Sequence, residues 1–197
     1  MPRSFYARPT LDVLDDILGK VLVHEARGRV TAGAIVEAEA YIGEDDPACH
    51  AAPGPTRRNA PLYGEPGHAY VYLNYGLHYL VNAVTEDAGR PAAILIRALE
   101  PVEGLDLMRR RRARLRAAAG PIADTDLCRG PGNLTVALGI SLRQNMVDLV
   151  TGNLRIEDRG LKVGHLVRSS RIGIRVGTDR PWRCHVRGHR SVSGIRS

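Results

Sequence analysis

Val30-Thr31-Ala32-Gly33-Ala34-Ile35-Val36-Glu37-Ala38-Glu39-Ala40-Tyr41 decides how this chain is to be read. It is rich in β-branched and small apolar residues, and a turn around Gly28 separates it from a second such run, Lys20 to Ala26. The pair predicts a β-hairpin. Alternate residues of an extended strand share a face, so Glu37, Glu39 and Tyr41 are expected to project together, placing a carboxylate beside an aromatic ring.

Outward from this hairpin the same kind of signal recurs. Pro9-Thr10 ahead of Leu11, Val13, Leu14, Ile17 and Leu18 predicts a capped amphipathic helix ending near Gly19. Residues 42–67 hold five prolines and four glycines without a sustained period, which predicts a long loop of the sort that often carries function. His68 to Asn74 and Leu77 to Thr85 flank Asn74-Tyr75-Gly76 and read as a second hairpin with Tyr75 at its tip. An aromatic residue there has little core to pack into.

Ala92 to Leu99 reads as a buried strand with one misfit, Arg97, which needs a counter-ion such as a nearby glutamate. Pro101 to about Ala118 is expected to be a helix with Glu103 and Asp106 at its start and Arg109 to Arg112, Arg114 and Arg116 toward its end, as the helix dipole favours. A short helix is expected after Pro131, and strands near Leu154 to Ile156, Ser170 to Val176 and Trp182 to Val186. Hairpins with few helices and no internal repeat or linker point to α+β: one domain over residues 1–197, with a curved, mostly antiparallel sheet and surrounding helices.

Composition narrows the partner. The net charge is +7, and all of the 28 basic residues except Lys20 and Lys162 are arginines. Arginine grips phosphate bidentately, so nucleic acid or a phosphorylated molecule leads, although a genome-wide preference for arginine codons explains the choice over lysine equally well. No apolar run approaches the length of a membrane span, and the first residues lack a secretory pattern, so a cytoplasmic protein acting at the nucleoid is expected. Cys49, Cys128 and Cys184 are odd in number and unpaired in spacing, which argues against disulfides. Cys184-His185 with His189 lacks a second ligand pair, so no metal and no cofactor is expected.

Taken singly, each candidate has an ordinary reading. Glu39 and Glu37 are strand carboxylates that could simply face solvent. Tyr41, Tyr70, Tyr72, Tyr75 and Tyr79 suit base stacking, at roughly 1–3 kcal/mol per base, and equally suit packing with the hydroxyl in water. His50 could be a ligand, an acid, a stacking surface or a surface residue. Asn82, inside an apolar run, needs hydrogen-bond partners that could be backbone or the edge of a bound base. The arginine run at 109–112 reads as a solvated helix face or as a DNA contact.

The order of the pieces is more specific than any one of them. Val36 to Tyr41, an acidic loop ending in His50, Thr56-Arg57-Arg58-Asn59, Tyr70-Val71-Tyr72, Tyr75-Gly76, Asn82, Ile94 to Pro101, Cys128-Arg129-Gly130-Pro131, Arg171-Ile172-Gly173 and Val186-Arg187-Gly188 together resemble the alkyladenine DNA glycosylase family, the 3-methyladenine glycosylases. The resemblance implies that Glu39 is the general base that activates water for attack on C1′ of a damaged nucleotide. It implies that Arg97 and the backbone carbonyl of Ile172 hold Glu39 and that water, and that Tyr41, His50 and Tyr72 sandwich the flipped base. Asn82 would then test the base edge and Tyr75 would wedge into the duplex. The implied partner is double-stranded DNA containing damaged purines, bound by a monomer.

Both lysines lie far from the motif in sequence, which disfavours a Schiff-base lyase and predicts a monofunctional enzyme. Leu77 stands where eukaryotic members carry Met, the segment from Asn82 to Arg97 is slightly longer, and a long basic N-terminal extension is absent. These departures bear on lesion preference. The alternatives of another class are a non-catalytic nucleic-acid-binding module, a hydrolase of free nucleosides or phosphorylated small molecules, and a metal-dependent hydrolase.

Overall fold

The computed structural model describes residues 1–115 and 120–194. Two short helices, α1 (Arg3–Tyr6) and α2 (Thr10–Asp16), lead into the expected hairpin of β1 (Val21–Ala26) and β2 (Arg29–Ile42). Arg27 and Gly28, both at positive φ, make its two-residue turn. Thr10 does not cap α2 from outside as expected. Pro9 holds the cap position, and the Thr10 hydroxyl instead donates to Glu86 at 2.6 Å.

After the long loop and a turn of 3₁₀ helix at Ala60–Tyr63 come β3 (Ala69–Asn74), β4 (His78–Val84) and β5 (Ala92–Glu103). The remaining elements are α3 (Leu105–Ala113), α4 (Asp124–Leu127), α5 (Pro131–Leu138), β6 (Leu154–Glu157), β7 (Leu166–Ser169) and β8 (Arg183–Val186). The strands form one antiparallel sheet in the order β3-β4-β5-β2-β1-β6, and β8 joins the far half of β2 with β7 beside it. The α+β reading holds.

β2 is the axis of this sheet because its 14 residues are long enough to pair with β5 along one edge and with β1 and then β8 along the other. Alternation along the central strands sorts side chains cleanly. Ala38, Ala40, Val71, Val81, Ala83, Ile94 and Ile96 point into the main core with Leu14 and Ile17 behind α2 and Leu134 and Leu138 of α5. Each larger aliphatic side chain buried there contributes roughly 1.5–3 kcal/mol. Glu39, Tyr41, Tyr70, Tyr72, Asn82, Leu95 and Arg97 belong to the opposite face, toward the long loop.

Three expectations are corrected. The helix expected from Pro101 begins only at Leu105, because β5 continues through Glu103. Pro101 is tolerated in a strand at a bulge, where Gly33 pairs with Pro101 and Ala32 with Glu103, leaving Val102 unmatched. Gly33 is required at that approach, since a Cβ would lie 2.8 Å from that of Leu99. That helix also ends at Ala113, short of the expected end near Ala118, and Arg116 lies outside the described residues. The strand expected at 170–176 forms earlier, as β7, while 170–181 is irregular and loops back toward the site. Among the described residues no helix is long and apolar enough to cross a membrane.

Candidate active site

A second bulge shapes the site. Ile35 pairs with Leu99, Glu37 with Ala98, and Ala38 with Ile96, so Val36 and then Arg97 are left unmatched. A bulge re-aims the side chains around it. Leu95 lies opposite Glu39, and Arg97, two residues on, shares its face. The guanidinium thereby reaches both carboxylates: Nε donates to Glu37 at 2.9 Å and Nη1 to Glu39 at 3.2 Å, while Nη2 donates to the Ser193 hydroxyl at 3.2 Å. Arg97 therefore has the counter-ion its buried position demands, and it has two.

The two carboxylates differ in what surrounds them. Glu37 also accepts from Arg183 at 2.8 Å, from the Ser193 amide at 2.6 Å and from the Ser193 hydroxyl at 3.0 Å. Burial works against its ionisation, but Arg97, Arg183 and these donors outweigh burial and hold it below the ordinary glutamate value. Glu37 is a fixed structural anion. Glu39 accepts from the Ile172 amide at 2.7 Å, the Tyr41 hydroxyl at 2.9 Å and Arg97. Burial dominates here and raises Glu39 above the ordinary value, with Arg97, Ile172 and Tyr41 offsetting it only in part. Of two neighbouring carboxylates, Glu39 is the more basic, the kind of divergence that marks acid–base sites.

Above this cluster lies a pocket of about 410 Å³. Tyr41, His50, Tyr72, Asn82, Arg97 and Ile172 all line it, and Tyr75 stands at its rim. Glu39 itself does not reach the wall. It has no exposed surface and sits beneath Tyr41, Arg97 and Ile172, its three hydrogen-bond partners. The partner at 172 is the amide N–H, where the resemblance implied the carbonyl.

His50 and Tyr72 touch, with ring centroids 4.5 Å apart, and line the pocket side by side, with Tyr41 also in its lining. His50 Nδ1 is 2.9 Å from the Tyr70 hydroxyl. Burial and the nearby Arg58 lower the His50 pKa, keeping its ring neutral at physiological pH. Burial and the Glu39 carboxylate push the Tyr41 hydroxyl up, so it remains a donor. The Asn82 amide nitrogen donates to the Tyr70 carbonyl at 3.0 Å, which fixes its orientation toward the pocket. Tyr75 is 88% exposed at φ 48, in the turn between β3 and β4.

Sequence reading missed the support behind these walls. Arg171 makes a fully buried bidentate pair with Asp46, at 2.5 and 2.8 Å, and its guanidinium lies 4.7 Å from the centre of the Tyr41 ring and 5.1 Å from that of Trp182. Arg183 and Ser193 clamp Glu37 from the last strand and the segment after it. The only available signal was Arg171 beside Ile172; nothing local marked Asp46, Arg183 or Ser193. Among the described residues no three His, Cys, Asp or Glu side chains gather as a metal site, and the three cysteines are free and buried.

Comparison with known proteins finds relatives over nearly the whole chain. The family model for methylpurine-DNA glycosylase matches residues 4–190. A protein from Burkholderia lata named "Putative 3-methyladenine DNA glycosylase" is 48% identical, over 98% of this chain and 91% of that protein. Proteins of the same name from Carboxydothermus hydrogenoformans and Methanocella arvoryzae are 44% and 46% identical over 98% of this chain, covering 98% and 95% of their own lengths. The chain belongs to the methylpurine-DNA glycosylase family, hydrolases that act on glycosidic bonds in DNA.

Proposed function

We propose that this protein is a monofunctional glycosylase that flips alkylated or deaminated purines out of duplex DNA, 3-methyladenine foremost and hypoxanthine and ethenoadenine with it, and leaves an intact abasic site. One observation carries the reading: the raised, Arg97-paired carboxylate of Glu39 lies directly beneath an aromatic pocket on a cationic chain. Chemistry on a base requires taking it out of the stack, at a cost of a few kcal/mol that is smaller for a damaged base. Tyr75, exposed at the rim, fills the space that the base leaves.

The base enters between Tyr41 on one side and the His50–Tyr72 wall on the other. A methylated purine carries positive charge, and tyrosine faces attract it by about 0.5–2 kcal/mol. Neutral His50 adds a stacking surface without repelling that charge. Asn82 meets the base edge and disfavours the 2-amino group of ordinary guanine.

Glu39 acts as general base. Its carboxylate accepts three hydrogen bonds, which leaves acceptor capacity for the proton of a water attacking C1′. Because Glu39 has no accessible surface in this state, entry of the base is the event that admits the water. The leaving purine departs with the bond electrons; a cationic base needs no further help, and a neutral one needs a proton. Arg97 and the Ile172 amide hold the carboxylate in place throughout. The protein works as a monomer of one domain.

The deciding experiment measures release of 3-methyladenine and hypoxanthine from duplex DNA by wild type and Glu39→Gln. Loss of release with lesion binding retained is expected; unimpaired excision by Glu39→Gln would refute the mechanism. Failure of DNA to compete against hydrolysis of a free nucleoside would favour a monomer hydrolase instead.

A further inference from the structure

Six arginines, Arg27, Arg29, Arg110, Arg111, Arg114 and Arg143, line a cleft of about 570 Å³ at the C-terminal end of α5, and no acidic residue lines it with them. Several arginines elsewhere are neutralised: Arg109 holds Asp106 and Asp124, Arg155 holds Glu25 and Glu157, and Arg168 holds Asp15. Among the described residues none of the six has an ion-pair partner. Arg111 is tied in place, donating to the Ala137 carbonyl at 2.9 Å and packing over Gly139. Burial and the neighbouring Arg29 lower its pKa, as expected where like charges are held together. Arg27 occupies a turn position at φ 54, where glycine or asparagine sits more easily.

The cleft and the base pocket lie at opposite ends of one helix. α5 starts at Pro131, in the pocket wall, and ends at Leu138, next to Gly139 of the arginine cleft. A third cleft, of about 930 Å³ and lined by His78, Arg112, Asp126, Arg129, Asn133 and Val136 among others, also borders α5. His78 follows the Tyr75 turn and packs against Gly132, where a Cβ would lie 2.8 Å from the imidazole. In sequence order α5 thus gives Pro131 to the pocket and Asn133 and Val136 to the third cleft, and Gly139, just past its end, lines the arginine cleft.

We propose that the duplex on one side of the flipped nucleotide runs along α5 and rests its phosphates in the arginine cleft, so that the grip on DNA is one-sided. This rests on the glycosylase reading. An eight-residue helix spans about 12 Å at 1.5 Å per residue. At about 3.4 Å of rise per base pair, the arginine contacts begin roughly four base pairs from the lesion.

The test compares wild type with the triple variant Arg110→Ala/Arg114→Ala/Arg143→Ala, which breaks no ion pair seen in the structure. Binding to a hypoxanthine duplex is measured across a salt series, along with single-turnover excision at saturating enzyme. The slope of log affinity against log salt is expected to fall by about 0.9 per lost phosphate contact, or roughly 2 to 3 in all, with the saturated rate unchanged. Duplexes cut to about three base pairs on one arm should erase the difference between wild type and variant, and the same cut on the other arm should preserve it. An unchanged salt slope, or a difference that ignores which arm is cut, overturns the proposal while wild-type excision leaves the glycosylase reading standing. Wild type that releases no base overturns both.

Discussion

The amide of Ile172 donates to the Glu39 carboxylate at 2.7 Å, joining the middle of the central strand to a loop 133 residues further along the chain. A neutral, fixed donor of this kind orients a carboxylate without adding a second full charge; it offsets burial only in part, and burial keeps the Glu39 pKa above the ordinary value.

Glu39→Gln keeps the shape of the site and removes the base. Single-turnover release of 3-methyladenine is expected to fall by about 10²–10⁴-fold, the usual contribution of general base catalysis. Affinity for the lesion duplex, measured by anisotropy, should hold within a few-fold. Comparable loss of affinity and rate would point to a binding role for Glu39.

The acid limb of the pH–rate profile belongs to the same residue. Catalysis needs ionised Glu39, so the rate should rise with pH through its raised pKa, at a midpoint above the ordinary glutamate value of about 4.3, and then level off. Glu37 and Asp46 have lowered values, so the stability they contribute is present above their unfolded pKa and is lost only as pH falls toward the folded one. The fold thus outlasts the limb being recorded. A midpoint at or below the ordinary value, or a limb that survives in Glu39→Gln, would contradict the assignment.

Arg97→Met leaves Glu37 and Glu39 buried beside each other with their shared cation gone. Breaking a buried pair on one side costs about 3–5 kcal/mol, so urea unfolding should show a loss of that size. Glu37→Gln should also destabilise, through Arg183 and Ser193, yet leave far more of the saturated excision rate than Glu39→Gln does.

Tyr75→Asn separates turn from wedge. Asparagine tolerates φ 48 better than tyrosine and the ring is exposed, so thermal stability should hold or rise slightly. Excision from duplex DNA should fall, and excision from a lesion already in single-stranded form should fall much less.

Asp46→Asn strips the counter-charge from Arg171 behind the Tyr41 ring. The uncompensated positive charge opposes a cationic base stacked on that ring. Release of 3-methyladenine should therefore drop more than release of neutral hypoxanthine by the same variant preparation, a ratio that is insensitive to how much of the protein folds.

Much of this was legible locally. The two hairpins announced themselves by alternation around Gly28 and Asn74-Tyr75-Gly76, and Arg97 by its charge inside an apolar strand. What was not legible depends on contacts distant in sequence. Pro101 looked like a helix start because the bulge that admits it into β5 is made with Gly33, about 70 residues earlier. Residues 170–176 looked strand-like by composition, but their backbone is spent on reaching the site, where Arg171 meets Asp46 and Ile172 meets Glu39. No periodicity marks Arg183 or Ser193 as partners of Glu37; only the pairing of β8 with β2 brings them there.

That late closure has a consequence during synthesis. Glu37 and Glu39 leave the ribosome well before Ile172, Arg183 and Ser193, which follow Glu39 by 133 residues or more. A nascent or prematurely terminated chain therefore carries the carboxylates, the tyrosines and the cationic surface without the clamp that orders them. On the proposed mechanism such a fragment binds DNA without cutting a glycosidic bond, so activity waits on the synthesis of residues 172–193.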